Sequence, residues 1–513
     1  MKKERLTYCI FGVLILSVLC MSCGSDPADE VVPEPDRSVK KIETFGFEPA
    51  VNAGLSGKLE GVFLQDAKVI AITTPLWLDN LKALKPTFKA VGTVKVDGVE
   101  QISGVSVQDF SREVVYTVTA EDGSTRAYTI LFRSPQTTGL PVLRIETQNR
   151  QAITSKEHYI DADILLYDPH DEKNNLQTTT EIRGRGNTTW GMPKKPYRLK
   201  FHKKTSLFGL AEEKSWVLLA NYQDPTLIMN TVAFELGQRL GLPFTNHYHH
   251  VELYLNGTYQ GSYMLTEQVQ VKKSRVNVSE TEGFLVEMDQ YYDEDPKFRT
   301  NRLGLPIMIK SPDLGDHPGL DLSFVSAAIH ALEAALFDEA FPANNYRELI
   351  DTEVMINYML VNELMRNVEV KHPKSIYLYK DKGGKIGFGP PWDFDWAFGW
   401  EDNHYQYFQL SQAGTLLMRP GYSWDGWTGH QFFCRFFDDP AFRAEYKARW
   451  NAVYATQITP MATFIEAMGQ KLEGSALQNG TVWGATDYQS QIDQMKRFWN
   501  ERVKQLNTQI NAF

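Results

Sequence analysis

Apolar and polar residues alternate with period two along most of the chain from residue 39 to residue 132. Val114, Tyr116, Val118 and Ala120 fall on one side of a strand, and Val115, Thr117 and Thr119 on the other. Glu121-Asp122-Gly123-Ser124 turns the chain, and Tyr128, Ile130 and Phe132 alternate back, which predicts a hairpin with an Asp-Gly turn. Residues 69–72 and 93–96 are further short strands. The pattern predicts a small all-β sandwich over residues 39–134, similar to the immunoglobulin-like or cadherin-like spacers of surface proteins.

After a linker over residues 134–141 the periodicity becomes mixed, and an α+β domain is expected over residues 142–405. Val251, Leu253 and Leu255 lead into Asn256-Gly257, and Tyr259 and Tyr263 follow, a second hairpin. Asp224-Pro225 can open a helix in which Ile228, Val232, Leu236 and Leu240 recur every four residues until Gly241 stops it. Another helix is predicted from about Asp351 through Val354, Tyr358, Val361 and Leu364 to Arg366. Residues 406–513, which include Phe442, Tyr446, Trp450 and Phe498, are expected to be a mainly helical extension.

The first residues carry a different signal. Lys2, Lys3 and Arg5 precede an apolar stretch from Leu6 to Met21, and Ser22-Cys23-Gly24 closes it. That stretch is shorter than the roughly 20 residues of a comfortable membrane span. A basic start, a short apolar core and a small residue before a cysteine describe a bacterial lipoprotein leader over residues 1–22. A lipid on Cys23 would then hold the mature protein to a membrane, as an exported lipoprotein on the outer-membrane cell surface or on another membrane face. Cys20 departs from the usual leader, which has Leu or Val there. The Pro-rich acidic segment over residues 23–38 reads as a flexible tether. Cleavage removes Cys9 and Cys20, so Cys434, flanked by phenylalanines, is expected as a buried thiol.

At 513 residues the chain has room for two or three domains. Its formal net charge of −10 becomes more negative once the basic leader is lost, which argues against nucleic acid as a partner. Four segments carry candidate chemistry. In Trp392-Asp393-Phe394-Asp395-Trp396 an extended chain would point both carboxylates one way and the aromatic rings the other, a pattern that suits magnesium or manganese. Glu181-Ile182-Arg183-Gly184-Arg185-Gly186-Asn187 is a polar loop whose arginines and N–H groups could meet phosphate. On the strand after it, Tyr197, Leu199 and Phe201 are expected inside, with Arg198 and Lys200 on the opposite face. His247 and His249 share a strand face, but no cysteine or further histidine accompanies them to complete a zinc site.

Arg183 to Trp190, Lys195 to Lys200, Leu219 to Asp224, Leu255 to Tyr263 and Trp392 to Asp395 together resemble the CotH kinase family, atypical kinases related to spore-coat protein H. The resemblance spans about Leu143 to Gly399. It implies a protein-kinase-like fold that transfers the γ-phosphoryl group of ATP, with Mg or Mn, to protein hydroxyls. Carried onto this chain, Lys200 with Arg183 and Arg185 would contact the nucleotide phosphates. Asp393 and Asp395 would hold the metal, and Glu369 would be the base. By analogy of layout with kinases, Glu235 would orient Lys200. Two departures stand out: Glu369 occupies a family aspartate position, and Met229 replaces a frequent arginine. Two alternatives stay open, a noncatalytic surface lipoprotein that binds a protein or polysaccharide through a kinase-like head, and a glycosyltransferase use of the Asp-x-Asp.

Overall fold

The computed structural model describes residues 36–53, 55, 57–64, 68–73, 81–133, 138–401, 406–420 and 426–513. Cys23, the leader and nearly all of the tether lie outside these residues. The chain divides into two compact units, the first ending at Arg133 and the second running from Ser134 to Phe513.

The first unit is all β. One sheet orders Leu59–Glu60, Lys41–Phe47 and Thr87–Val91; the other orders Val62–Leu64, Val69–Thr73, Thr125–Arg133, Val114–Thr119, Thr93–Val96 and Val99–Glu100. Thr119 pairs with Thr125 and Val114 with Ile130, so the Asp-Gly hairpin forms where alternation places it. Val114, Tyr116 and Val118 are buried and join Phe45, Phe47 and Tyr128 in one apolar cluster.

In the second unit, seven strands close a barrel: β1 (Val142–Thr147), β2 (Ile160–Tyr167), β3 (Leu176–Gly184), β4 (Tyr197–Thr205), β5 (Glu213–Leu219), β6 (Tyr248–Leu255) and β7 (Thr258–Glu267). The order around it is β1-β2-β3-β4-β5-β7-β6, with β6 parallel to β1. Tyr197, Leu199 and Phe201 of β4 pack inside with Trp216, Leu218 and Tyr263, because alternation gives each strand one apolar face. Helix α1 (Met229–Arg239) interrupts the barrel strands. It begins four residues later than Asp224-Pro225 suggests. The Asp224 carboxylate accepts the N–H of Thr226 at 2.7 Å and that of Met229 at 2.7 Å, capping the helix across an intervening turn.

A second, antiparallel sheet contains β8 (Phe284–Met288), β9 (Lys297–Arg299), β10 (Pro306–Ser311), β11 (Ile376–Lys380) and β12 (Gly387–Phe388), in the order β9-β10-β8-β11-β12. Helices α2 (Ser323–Leu336) and α3 (Thr352–Met365) lie between β10 and β11 in the chain. Asp351 caps α3 by accepting the Val354 N–H at 3.1 Å. Every residue from Val354 to Met365 is buried, so α3 is surrounded on all sides. The chain ends in α4 (Thr428–Arg435), α5 (Pro440–Val453), α6 (Met461–Trp483) and α7 (Tyr488–Ile510). Cys434 is buried in α4, its Sγ 3.9 Å from the Leu417 carbonyl. Among the described residues no helix is long and apolar enough to cross a membrane.

Candidate active site

An open cavity of about 1020 Å³ lies in the second unit, with walls from the β3–β4 connection, the approach to α1, the second sheet and the Asp-x-Asp segment. Arg183, Arg185, Arg198, Glu369, Asp393 and Asp395 all line it.

The basic wall follows from strand register. Arg183 on β3 pairs directly with Arg198 on β4, so two like charges stand side by side on the outer face of the barrel. The Nε atoms of both are buried without a hydrogen-bond partner. Arg183 rests on the Tyr159 ring at 4.9 Å and Arg185 on the Trp392 ring at 5.4 Å. Burial pulls the Arg185 guanidinium below its usual value, opposed by the charges of Tyr377 and Asp393. Gly184 is required here because a Cβ would run into the Trp190 ring. Gly186 adopts φ +81°, where a side chain would be strained.

The acidic wall is a turn, which corrects the extended strand expected for Trp392 to Trp396. Asp393 has φ +61°, in the left-handed region that a non-glycine residue enters only under constraint. The constraint is visible on both sides. Asn367 Nδ2 donates to the Asp393 carbonyl at 3.4 Å, and the Phe394 N–H donates to Asn230 Oδ1 at 2.9 Å. Phe394 is buried, but Trp392 and Trp396 line the cavity together with Asp393 and Asp395, so the expected separation of carboxylates from rings holds only for Phe394. Asn230 Nδ2 donates to Asp395 Oδ1 at 2.7 Å. Burial, with Asp393 and Asp224 adding to it, pushes the Asp395 carboxyl up to about 7.

Glu369 is 3% exposed, on a short helical turn after α3. Its Oε1 accepts from Lys374 Nζ at 3.0 Å, while Oε2 is buried with no hydrogen-bond partner. Burial and then the Asp393 charge raise its carboxyl well above the usual range, and Lys374 opposes them. Lys374 Nζ also lies 4.3 Å from the centre of the Trp396 ring. Ser375 donates its N–H to Asp289 Oδ2 at 2.9 Å and its hydroxyl to Asp393 Oδ2 at 3.4 Å.

Among the described residues no three His, Cys, Asp or Glu side chains gather to enclose an ion. Asp393 and Asp395 would supply part of a shell, which suits magnesium, since that ion keeps water and phosphate oxygens for its remaining positions. Arg183, Arg185 and Arg198 line the same cavity and would suit the phosphate.

Residues 182–506 match the family model described as CotH kinase protein. The chain belongs to the CotH kinase family. Residues 51–131, in the first unit, match a model described as SGBP, N-terminal. A comparison with curated proteins finds no match. One solved structure that matches is described as a candidate glycoside hydrolase from Bacteroides thetaiotaomicron VPI-5482. It is 12% identical, with a TM-score of 0.16, over 57% of this chain and 88% of that one.

Within the CotH domain, two residues singled out from the sequence stand apart from the others. Lys200 is exposed on β4, its Nζ 5.5 Å from the centre of the Tyr159 ring, and is not part of the cavity wall. Glu235 accepts from Arg239 Nε at 2.7 Å and from the Tyr248 hydroxyl at 2.8 Å, so the two are not paired with each other. Met229 is fully buried in the core. Glu267 accepts the His247 N–H and Nδ1, each at 2.7 Å. His250 Nε2 instead meets the Thr231 hydroxyl at 2.8 Å, and His249 stacks on Phe208. Asn230, Lys374 and Ser375 escaped the sequence analysis, because only tertiary contacts bring them to the aspartates.

Proposed function

We propose that the protein is an exported, lipid-anchored CotH-type kinase that moves the γ-phosphoryl group of ATP to protein hydroxyls. One observation carries this: Arg183, Arg185 and Arg198 line the same cavity as Asp393 and Asp395, and the Nε atoms of Arg183 and Arg198 are buried without a partner. The phosphates are assigned to Arg183, Arg185 and Arg198, with Arg198 in the place first given to Lys200. Magnesium or manganese on Asp393 and Asp395 would neutralise charge on the phosphates. Glu369 Oε2 takes the acceptor proton as the hydroxyl oxygen bonds to the γ-phosphorus and the β–γ bridging oxygen leaves with ADP. The barrel with α1, followed by the second sheet and α3, serves as the two parts of a kinase-like fold. The first unit is assigned as an immunoglobulin-like spacer between the anchor on Cys23 and this head.

A second reading, a noncatalytic head that binds a surface partner, draws on the Lys374 ammonium that occupies Glu369 Oε1. Transfer of labelled γ-phosphate to candidate acceptors, with either metal, separates the two. Wild type is expected to label protein, and Asp393→Ala and Arg198→Ala to lose about 100-fold or more in rate, with Lys200→Ala close to wild type. A wild type that neither labels protein nor consumes ATP would leave the noncatalytic reading.

A further inference from the structure

A buried amine and a side-chain amide meet where helix α6 packs against the barrel. Lys194, just before β4, is 1% exposed. Its Nζ donates to the Ser262 carbonyl of β7 at 2.5 Å and to Asn479 Oδ1 of α6 at 2.9 Å. The Tyr263 ring covers it, its centre 4.7 Å away. Both hydrogen-bond acceptors are neutral amide oxygens, which offset the cost of a buried ammonium less than a carboxylate would. Burial pulls Lys194 down to about 7, with the charges of Glu252 and Asp224 opposing. Near neutral pH much of the side chain is then the free amine, whose nitrogen lone pair is a nucleophile.

The amide it meets is polarised and fixed. Asn479 Oδ1 also accepts the Ser262 N–H at 3.2 Å, and two donors on one oxygen draw electron density away from Cγ. Gly261 makes the approach possible, because a Cβ there would run into both Asn479 Oδ1 and Lys194 Cε. Trp483 Nε1 donates to the Gln260 carbonyl at 2.8 Å, which holds the same stretch of α6 against β7. A carboxyl stands across the ladder. Glu252 of β6 pairs in register with Ser262 and is 3% exposed, and burial raises it above the usual carboxylate range. Paired residues of an antiparallel ladder share a face, so the Ser262 hydroxyl, buried without a partner, is on the side of the sheet that Glu252 occupies.

We infer that Lys194 and Asn479 join in an isopeptide bond, with Glu252 carrying the proton. The Lys194 amine adds to Cγ of Asn479, and the Cγ–Nδ2 bond breaks. Glu252 gives its proton to Nδ2, which leaves as ammonia, and takes one from the adding nitrogen, so the carboxyl ends as it began. Nothing is oxidised or reduced. The bond ties together residues 285 apart in the chain and fastens α6 to the barrel. A disulfide cannot serve here, since Cys434 is the one cysteine among the described residues and is a free, buried thiol. A covalent link between distant residues acts mainly by restricting the unfolded chain.

Mass spectrometry of tryptic peptides from the purified full-length protein tests this. Wild type is expected to yield one branched peptide that contains both Lys194 and Asn479, lighter than its two parts by one ammonia and uncut after Lys194. Lys194→Arg removes the nucleophile and is expected to give two linear peptides. Asn479→Asp is expected to form the same link with loss of water in place of ammonia. Glu252→Gln can keep its contacts with the Thr138 and Tyr259 hydroxyls, and is expected to accumulate the branched peptide about 100-fold more slowly. Linear peptides of full mass from wild type would overturn the inference, a result that does not depend on whether any variant folds. A branched peptide that persists in Lys194→Arg would overturn it too, and an unchanged rate in Glu252→Gln would remove Glu252 from it.

Discussion

Glu369 shows how one residue can carry both the case for catalysis and the case against it. Its Oε2 is buried without a partner, as the proposed base requires, while Lys374 holds Oε1 at 3.0 Å. Its carboxyl is raised by burial and by Asp393, so it is protonated over more of the pH range than an exposed glutamate. A base must be deprotonated to act, so phosphoryl transfer is expected to rise with pH through this raised value. Lys374 is the cation that favours the ionised form. Lys374→Met is therefore expected to move the rising limb of the pH–rate profile to higher pH, without moving KM for ATP to the same degree. A limb that stays in place would show that another group sets it.

Elements differ in how openly the sequence declares them. The Asp-Gly and Asn-Gly hairpins and the Asp351-capped helix were legible because each depends on neighbours in sequence: a turn, a cap, a period. The basic wall was half legible. Alternation put Arg198 and Lys200 on one face, but only barrel closure decides which of them meets the cavity. The left-handed turn at Asp393 was not legible, since Asn230 and Asn367 impose it from far away in the chain. The helical character of α7 was legible, but not the buried ion pair that docks it. Arg502, fully buried, pairs with Glu363 of α3 and donates to the carbonyls of Ala413 at 2.9 Å and Thr415 at 2.7 Å. Removing one partner strands a buried charge, so Arg502→Ala is expected to destabilise the unit by about 3–5 kcal/mol. Chemical denaturation of that variant measures it, and a loss below about 1 kcal/mol would mean that α7 is held mainly by its apolar face.

At the scale of the whole molecule, the two units have separate apolar cores. The proposed lipid anchor on Cys23 would place the second unit outside the cytoplasm, where free ATP is scarce. An anchored kinase must act before export or on local nucleotide. Incorporation of radiolabelled palmitate is expected in wild type and absent in Cys23→Ser, which should appear in the soluble fraction. Labelling that persists in Cys23→Ser would remove the anchor from the proposal. The central claim is that the large cavity binds a magnesium nucleotide. Calorimetric titration of ATP tests it most directly, with magnesium and with chelator, in wild type and in Asp393→Ala. Wild type is expected to bind with magnesium and to lose at least about tenfold in affinity with chelator, a loss that Asp393→Ala reproduces with magnesium present. Binding that is absent, or indifferent to both magnesium and Asp393, would contradict it.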